Sequence, residues 1–362
     1  MALKNAVQVA LMPGDGIGVE VMEATTGVLE KLARRHGLGL ATATLEAGAR
    51  CYERTGTAMS DAVFARAASA DAILLGAMGW PGIRYPDGTE IAPQIDLRVR
   101  LGLYAGVRPI RAIPGVPLAL RDPRAEKIDM VIVRESTEGL FHARGRGEII
   151  EDREARDTMV ITRATTERLS RFAFRLAERR AAQRGRAQTV TLVDKANVFT
   201  SMAFMRRVFS EVAREFPSVP SAHHYVDAMA LDLIRRPWDF DVLPMENMFG
   251  DILSDLGAGL IGGMGYAPSA DVGDKHAVFQ PSHGTGPDIA GKGIANPTAM
   301  LLSAALMFEW LHDTGAGSAF GDAATELSAA VDAAFANGLR TAEFGGVGTL
   351  DVARAVAGQI PG

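Results

Sequence analysis

Short aliphatic runs and amphipathic segments alternate through the first part of this chain, and that alternation restricts the fold more than any other feature. Residues 7–12 read as a buried strand, 14–18 as a turn, 19–35 as a helix and 40–46 as a second strand. Residues 61–68 have helical spacing, and 72–75 form a short β-like run closed by Gly76. Strands separated by helices require βαβ units, hence a parallel sheet with right-handed crossovers. The sequence therefore predicts an α/β fold built on a large, mostly parallel sheet.

The middle of the chain has a different composition. Strands are expected at 103–110, 130–133 and 189–193, and helices at 165–184 and 202–216. Leu169, Phe172, Phe174, Leu176 and Ala177 should face the core from the first of these helices, which Gly185 ends. Residues 145–156 are charged and rich in turn formers, as an exposed arm would be. The last part returns to helix: 298–312 is apolar almost all round and so buried, and 323–336 stops at Asn337-Gly338. At 362 residues the chain has the length of about two domains of roughly 150 residues. No linker rich in Pro, Gly and Ser separates them, so the chain should cross between lobes more than once.

Composition excludes several classes. The net charge of −5 argues against non-specific affinity for nucleic acid. No apolar run approaches the roughly 18 residues of a membrane span, and Lys4, Asn5 and Gln8 interrupt any signal-peptide core. The single cysteine, Cys51, cannot form an internal disulfide, which fits a reducing, cytoplasmic setting. Only six of the 38 basic residues are lysine, so each lysine raises a question of purpose.

Pro13-Gly14-Asp15-Gly16-Ile17-Gly18 follows the first strand and opens the first helix. The dinucleotide fingerprint needs Gly at its first, third and sixth positions. Counted from Gly14 the sixth residue is Val19, so the pattern fails and a tight strand-to-helix turn is expected instead.

Four other groups carry chemistry. In Asn247-Met248-Phe249-Gly250-Asp251-Ile252-Leu253-Ser254-Asp255, a helix would place Asp251 and Asp255 on one face. Their repulsion would be relieved by a hard cation such as Mg²⁺ or Mn²⁺; the alternative is a solvated acidic face. The flanking Ile252, Leu253 and Leu256 and the glycines at 250, 257 and 259 are expected to be buried, which favours the metal. Arg98, Arg108 and Arg134 stand in apolar settings and read as strand-end groups suited to bidentate capture of carboxylates, or else as surface ion pairs. Lys195 follows an apolar strand, where burial or neighbours can tune it for proton transfer. The Gly-rich stretch from His283 to Pro297 lets backbone N–H groups approach a phosphate-bearing ligand, or is an ordinary loop. His223-His224 is set aside as a metal pair, because neighbours on a strand face opposite ways.

Six blocks in order resemble the β-decarboxylating dehydrogenases, the family of 3-isopropylmalate, isocitrate, homoisocitrate, tartrate and D-malate dehydrogenases. They are Leu97-Arg98 to Val107-Arg108-Pro109, Val133-Arg134-Glu135-Ser136-Thr137-Glu138-Gly139, Asp194-Lys195-Ala196-Asn197, Tyr225-Val226-Asp227-Ala228-Met229, Asn247 to Asp255, and His283 to Pro297. The resemblance covers essentially the whole chain and implies a two-domain fold like that of isopropylmalate dehydrogenase. Residues 1–103 and 262–362 would form the large α/β domain with the adenosine pocket, and 104–261 a dimerising α/β domain with an arm. Active sites would lie between domains and be shared across a homodimer.

The resemblance also assigns residues. Arg98, Arg108 and Arg134 would hold substrate carboxylates, with Gln94 and Asn197 also at the substrate. Asp251 and Asp255, joined by Asp227 from the partner subunit, would hold Mg²⁺ or Mn²⁺. Lys195 of the partner, with Asp227, would handle the substrate hydroxyl proton. His283, Gly284, Thr285, Gly286, Asp288, Ile289 and Asn296 would bind the adenosine half of the cofactor. Asp288 can accept from ribose hydroxyls and would repel the 2′-phosphate of NADP; NADP-using relatives carry Lys then Tyr where this chain has Asp288-Ile289. NAD is therefore expected.

The chain departs from the family at four places. Phe141 replaces the tyrosine that protonates the enol, Gln280 replaces a glutamate, Gly286 replaces alanine, and Glu343 replaces aspartate. Gln94 and Asp96 are polar where isopropylmalate enzymes place an apolar pair. The expected activity is NAD- and metal-dependent oxidative decarboxylation of a 3-substituted malate, a small 2-hydroxy dicarboxylate, closest to 3-isopropylmalate. The alternatives are tartrate, D-malate or isocitrate, or a catalytically weak regulatory paralogue.

Overall fold

A computed structural model describes residues 6–362; Lys4 and Asn5, used above against a signal segment, lie outside the described residues. The strands are β1 (Val7–Gly14), β2 (Leu40–Thr44), β3 (Ala72–Ala77), β4 (Ala105–Arg111), β5 (Asp129–Glu135), β6 (Glu148–Ile150), β7 (Glu154–Arg156), β8 (Val190–Asp194), β9 (Ser221–Tyr225), β10 (Val242–Met245), β11 (Pro268–Val272) and β12 (Ala277–Pro281). Ten of them form one sheet in the order β2-β1-β3-β12-β11-β4-β5-β10-β8-β9. Pairing is parallel within β2-β1-β3-β12 and within β5-β10-β8-β9. It is antiparallel at β12-β11, β11-β4 and β4-β5. The chain enters the second half through β4 and β5 and returns through β11 and β12, the repeated crossing expected from the missing linker.

Burial explains which strands the sequence shows plainly. β3, β8, β10, β11 and β12 are buried at every residue, as strands covered by helices on both faces must be. The edge strands β2 and β9 bury none of their residues and carry Thr, Ser and His. The expected arm is the exposed hairpin of β6 and β7. Strands β9 to β12 lie outside the set read from sequence, because Pro, Ser, Asp and His interrupt their apolar patterns.

The helices expected from the sequence form, whereas Ala49–Thr55, Pro93–Leu101, Val226–Arg235 and Thr349–Gln359 lie outside that set. Ile17–His36 buries Val21, Val28, Leu29 and Leu32 and ends at Gly37 in the left-handed conformation. In Arg163–Arg184, Leu169, Phe174 and Ala177 are buried, while Phe172 and Leu176 are partly buried against the same core. Thr298–Asp313 is buried nearly all round. Among the described residues no helix is long and apolar enough to cross a membrane.

The failed fingerprint has a structural explanation. The turn after β1 is wedged between the end of β3 and the loop that follows β12. A Cβ on Gly14 would lie 2.0 Å from the carbonyl oxygen of Ala77, and one on Gly16 would lie 2.1 Å from that of Thr285. The first helical N–H groups are consumed internally, Ile17 N donating to Thr285 O at 2.8 Å. The buried Asp15 carboxylate accepts from the backbone N–H groups of Ala49, Arg50 and Gly79. These glycines serve close backbone approach. Because Gly16 also has φ +57°, Gly16→Ala should cost about 1–3 kcal/mol of stability and displace the loop after β12. Thermal denaturation checks this, and an unchanged Tm would refute the close approach.

Candidate active site

Three neighbouring strands form the floor of the site. Gly106 of β4 stands in register between Arg134 of β5 and Asp271 of β11. Side chains two residues apart on a strand share a face, so Arg108 projects beside this row from β4. Gln280 joins it from β12, two residues from Val278, the partner of Asp271. A Cβ on Gly106 would lie 2.6 Å from Ser136 Oγ and 3.1 Å from Asp271 Oδ1, so glycine there keeps the row open.

Asp271 is completely buried. Its Oδ2 accepts from Arg98 Nε and from Gln280 Nε2, both at 2.9 Å. Its Oδ1 accepts from Arg108 Nη2 at 3.1 Å. Burial pushes this carboxyl up, but the guanidiniums of Arg98, Arg108 and Arg134 outweigh it and bring the group down to about 2. The departure at position 280 now has a reason, since a glutamate there would set a second carboxylate against Asp271. Arg108 lies midway along β4 and not at its end, and Arg98 requires a further correction: it lies on the helix Pro93–Leu101 and not at a strand end. It reaches the strand row from the side.

The helix Asn247–Leu260 supplies the acids. Its N-terminus is capped by Glu246, which accepts from the N–H groups of Met248 and Phe249. Gly250 lets the helix sit directly on Arg134, whose Cβ is 2.6 Å from where a glycine Cβ would be. Arg134 donates from Nε to Asn247 Oδ1 at 2.8 Å and from Nη1 to Asp251. Asp255 stands one turn further, its carboxyl raised by burial and by Asp251. Burial and the neighbouring Arg98 pull Arg134 down to about 10, which leaves it charged at neutral pH. Leu253, Gly250 and Gly257 are buried as expected, but Ile252 and Gly259 are exposed, because they lie on the outer face of the helix.

These groups converge on a cavity of about 240 Å³ lined by Gln94, Arg98, Arg108, Arg134, Asp251 and Asp255, with Phe141, His283 and Gly284 at its sides. The Phe141 ring lies 5.0 Å from the Arg134 guanidinium. Gln94 Oε1 and His283 Nε2 are buried without a hydrogen-bond partner among the described residues. His283 Nδ1 lies 2.9 Å from Gly284 O, and burial pushes the imidazole down. A neutral ring donating from Nδ1 leaves Nε2 as an acceptor. A larger cavity, about 830 Å³, lies among Arg163–Arg184, Thr298–Asp313 and Ser318–Ala336. Arg111 pairs with Asp332 and Arg179 with Asp313 along it, and it holds none of the residues selected from sequence.

Lys195, Asp227 and Asn197 do not line the 240 Å³ cavity. Lys195 Nζ follows β8 and donates to Asp227 Oδ1 at 2.7 Å, a bond that holds the Asp227 carboxyl below its ordinary range. Asn197 is exposed on the loop beyond.

The remaining cofactor candidates lie on the loop after β12. Thr285 and Asn296 are buried, Gly286 and Ile289 partly so, and Asp288 is exposed. Asn296 donates to Glu343 Oε1 at 2.8 Å and accepts from Thr298 N at 3.0 Å. Gly293 N donates to Glu20. Asp271 is the residue that sequence reasoning missed; a lone acid between small residues in Pro268-Ser269-Ala270-Asp271-Val272 was its signal.

A fold of this topology with arginines facing acids across such a cavity defines a dehydrogenase class, and comparison places the chain within it. The chain belongs to the isocitrate/isopropylmalate dehydrogenase family, whose model matches residues 8–357. It is 40% identical over 357 residues to a 3-isopropylmalate dehydrogenase of Methanothermobacter thermautotrophicus, covering 98% of both chains. A 3-isopropylmalate/3-methylmalate dehydrogenase of Methanocaldococcus jannaschii is equally similar, 40% identical with the same coverage. Among solved structures, isocitrate dehydrogenase of Methylococcus capsulatus superposes with a TM-score of 0.85 at 35% identity, over 98% of this chain and 99% of the other.

The charge at Asp271 predicts a pH dependence. Its carboxyl is lowered from 3.8 to about 2 in the folded chain, so the stability it contributes is present above pH 4 and is lost as pH falls toward about 2. Asp271→Asn should flatten that acid limb in denaturant titrations run across this range. Identical acid limbs would show that the arginines do not stabilise the buried charge.

Proposed function

We propose that the protein catalyses NAD- and divalent-metal-dependent oxidative decarboxylation of a 3-substituted malate, with 3-isopropylmalate the nearest substrate. The observation that carries this is the convergence of Arg98, Arg108 and Arg134 with Asp251 and Asp255 on one small cavity. The arginines suit two carboxylates; the aspartates are all-oxygen donors one helical turn apart, whose mutual repulsion a hard cation would relieve. Among the described residues no three His, Cys, Asp or Glu side chains cluster as a metal site, so the third acid, Asp227, comes from a second subunit in this reading. The unpartnered His283 Nε2 fits a loop awaiting a hydrogen-bonding cofactor, and Asp288 stands exposed for ribose hydroxyls.

When bound, the metal supplies Lewis acidity toward the 2-hydroxyl and carbonyl oxygens, and NAD supplies the hydride acceptor. The chain's own residues do the rest. Arg98, Arg108 and Arg134 orient the substrate, and a base near Lys195, whose ammonium is held by Asp227, takes the hydroxyl proton. Phe141 has no proton to give, so the enol receives its proton through Lys195 and solvent.

The shared site is supported by an apolar surface. Val198, Phe199, Leu231, Ile234 and Ile252 are exposed, and all belong to the segment 104–261 that also carries Lys195 and Asp227. That segment is the dimerising domain in this reading, and 1–103 with 262–362 the cofactor domain. A second substrate reading has one observation in its favour. The unpartnered Gln94 Oε1 suits a donor on C3, as in tartrate.

Subunit mixing tests the assignment. Lys195→Ala and Asp251→Asn should each nearly abolish NADH production from 3-substituted malates with Mn²⁺. Random reassociation of the two variants should restore about a quarter of wild-type activity, because half the dimers are mixed and each mixed dimer has one intact site. Asp251→Asn alone should also weaken Mn²⁺ binding in a calorimetric titration. No recovery in verified mixed dimers would place all catalytic groups of a site in one subunit.

The cofactor choice has its own test. Wild type should use NAD in preference to NADP, and Asp288→Lys with Ile289→Tyr should shift kcat/KM toward NADP. Equal wild-type efficiency with both would show that Asp288 does not face the ribose.

A further inference from the structure

The arginines of the cavity are held by a group that the proposed reaction does not itself call for. Asp271 uses both oxygens, engaging Arg98 and Gln280 through Oδ2 and Arg108 through Oδ1. It is wholly inaccessible to solvent, so it cannot touch a substrate. Arg98 gives Asp271 its Nε, and its terminal nitrogens make no hydrogen bond among the described residues. Arg108 spends Nη1 on the carbonyls of Ala270 and Val107. Each guanidinium is thus locked in direction from behind, which removes rotamer freedom that substrate binding would otherwise have to remove.

Asp271 also changes the charge of the site. The three guanidiniums are balanced by Asp251, Asp255 and Asp271, leaving the cavity without net charge. A divalent cation then leaves two positive charges, the complement of two carboxylates. Without Asp271 three would remain, which favours a third carboxylate. A charge buried beside the site acts through a dielectric well below that of water, so it discriminates between substrates that differ by one charge.

We propose that Asp271, oriented by Gln280, is a positioning and specificity-determining residue that sets Arg98 and Arg108 for a dianionic 2-hydroxy acid and disfavours a trianionic one. The proposal rests on the reading of this cavity as a substrate site. Gln280 is the required neutral donor, since a carboxylate in its place would repel the one it steadies.

The experiment compares 3-isopropylmalate and D-malate as dianions with isocitrate as trianion, in wild type, Asp271→Asn, Gln280→Glu and the double variant Asp271→Asn/Gln280→Glu. Both KM and kcat are measured with NAD and Mn²⁺, and binding of each acid to the folded, cofactor-free protein is measured by calorimetry. Asp271→Asn should raise the dianion KM about tenfold, the equivalent of about 1.4 kcal/mol, with a much smaller change in kcat. The preference between trianion and dianion should shift toward the trianion by at least about tenfold. The double variant moves the single carboxylate across the same hydrogen bond and should return the preference to near wild type, which a merely structural role would not predict. If Asp271→Asn does not fold, the double variant and Gln280→Glu carry the test, the latter weakening the trianion more than the dianion through its added buried charge. A loss confined to kcat, an unchanged charge preference, or no rescue in a folded double variant would overturn the proposal. Failure of the wild type to oxidise any of these acids would instead overturn the proposed function, while the binding titrations would still read the charge preference.

Discussion

A carboxylate buried without any solvent contact organises this molecule. Taking a charge out of water is costly unless it is paired and hydrogen-bonded, and Asp271 meets both conditions only because strands distant in sequence are neighbours in the sheet. Arg108 arrives from β4, Gln280 from β12 and Arg98 from a helix beside them. The antiparallel stretch β12-β11-β4-β5 that joins the two parallel halves is the place where this meeting occurs. The reversal of strand direction at the centre of the sheet and the assembly of the charged cavity are therefore the same structural event.

Close backbone approach is the second constraint. The Gly14–Gly18 turn lies against the carbonyls of Ala77 and Thr285, which no side chain would permit. The loop after β12 is thereby pinned to the first strand–helix unit, with Gly293 tied to Glu20 and Asn296 to Glu343. Glycines that resemble a nucleotide-binding motif serve here to seat another loop. That loop carries the candidate cofactor residues, so in the proposed reading the turn acts as their support.

The outward faces of Val226–Arg235 and Asn247–Leu260 leave Leu231, Ile234 and Ile252 in solvent. The same part of the chain holds Lys195 and Asp227, paired with each other away from the cavity. In the proposed reading, that apolar face and the lysine–aspartate pair are what one chain offers to a site completed by a second subunit.

Much of this was legible in the sequence because it depends on local periodicity. The alternation of strands and helices, the helix Arg163–Arg184 with its stop at Gly185, the exposed arm, and Asp251 and Asp255 one turn apart follow from spacing alone. The motif blocks likewise marked the three arginines before any fold was known. What spacing could not reveal is the content of β11 and β12, where Ser, Asp and Gln interrupt an apolar pattern. Their burial is tolerated only because partners come from far along the chain, as Asp271 and Arg98 do across 173 residues. Spacing also placed Arg98 on a strand and Ile252 in the core, since neither a helix entering from the side nor an outer face is encoded locally. Sequence by itself determined the elements and the chemistry they carry. Which of those groups meet, and which buried charge orients them, was decided by the tertiary structure, because a buried ion is stable only where its counter-charges converge.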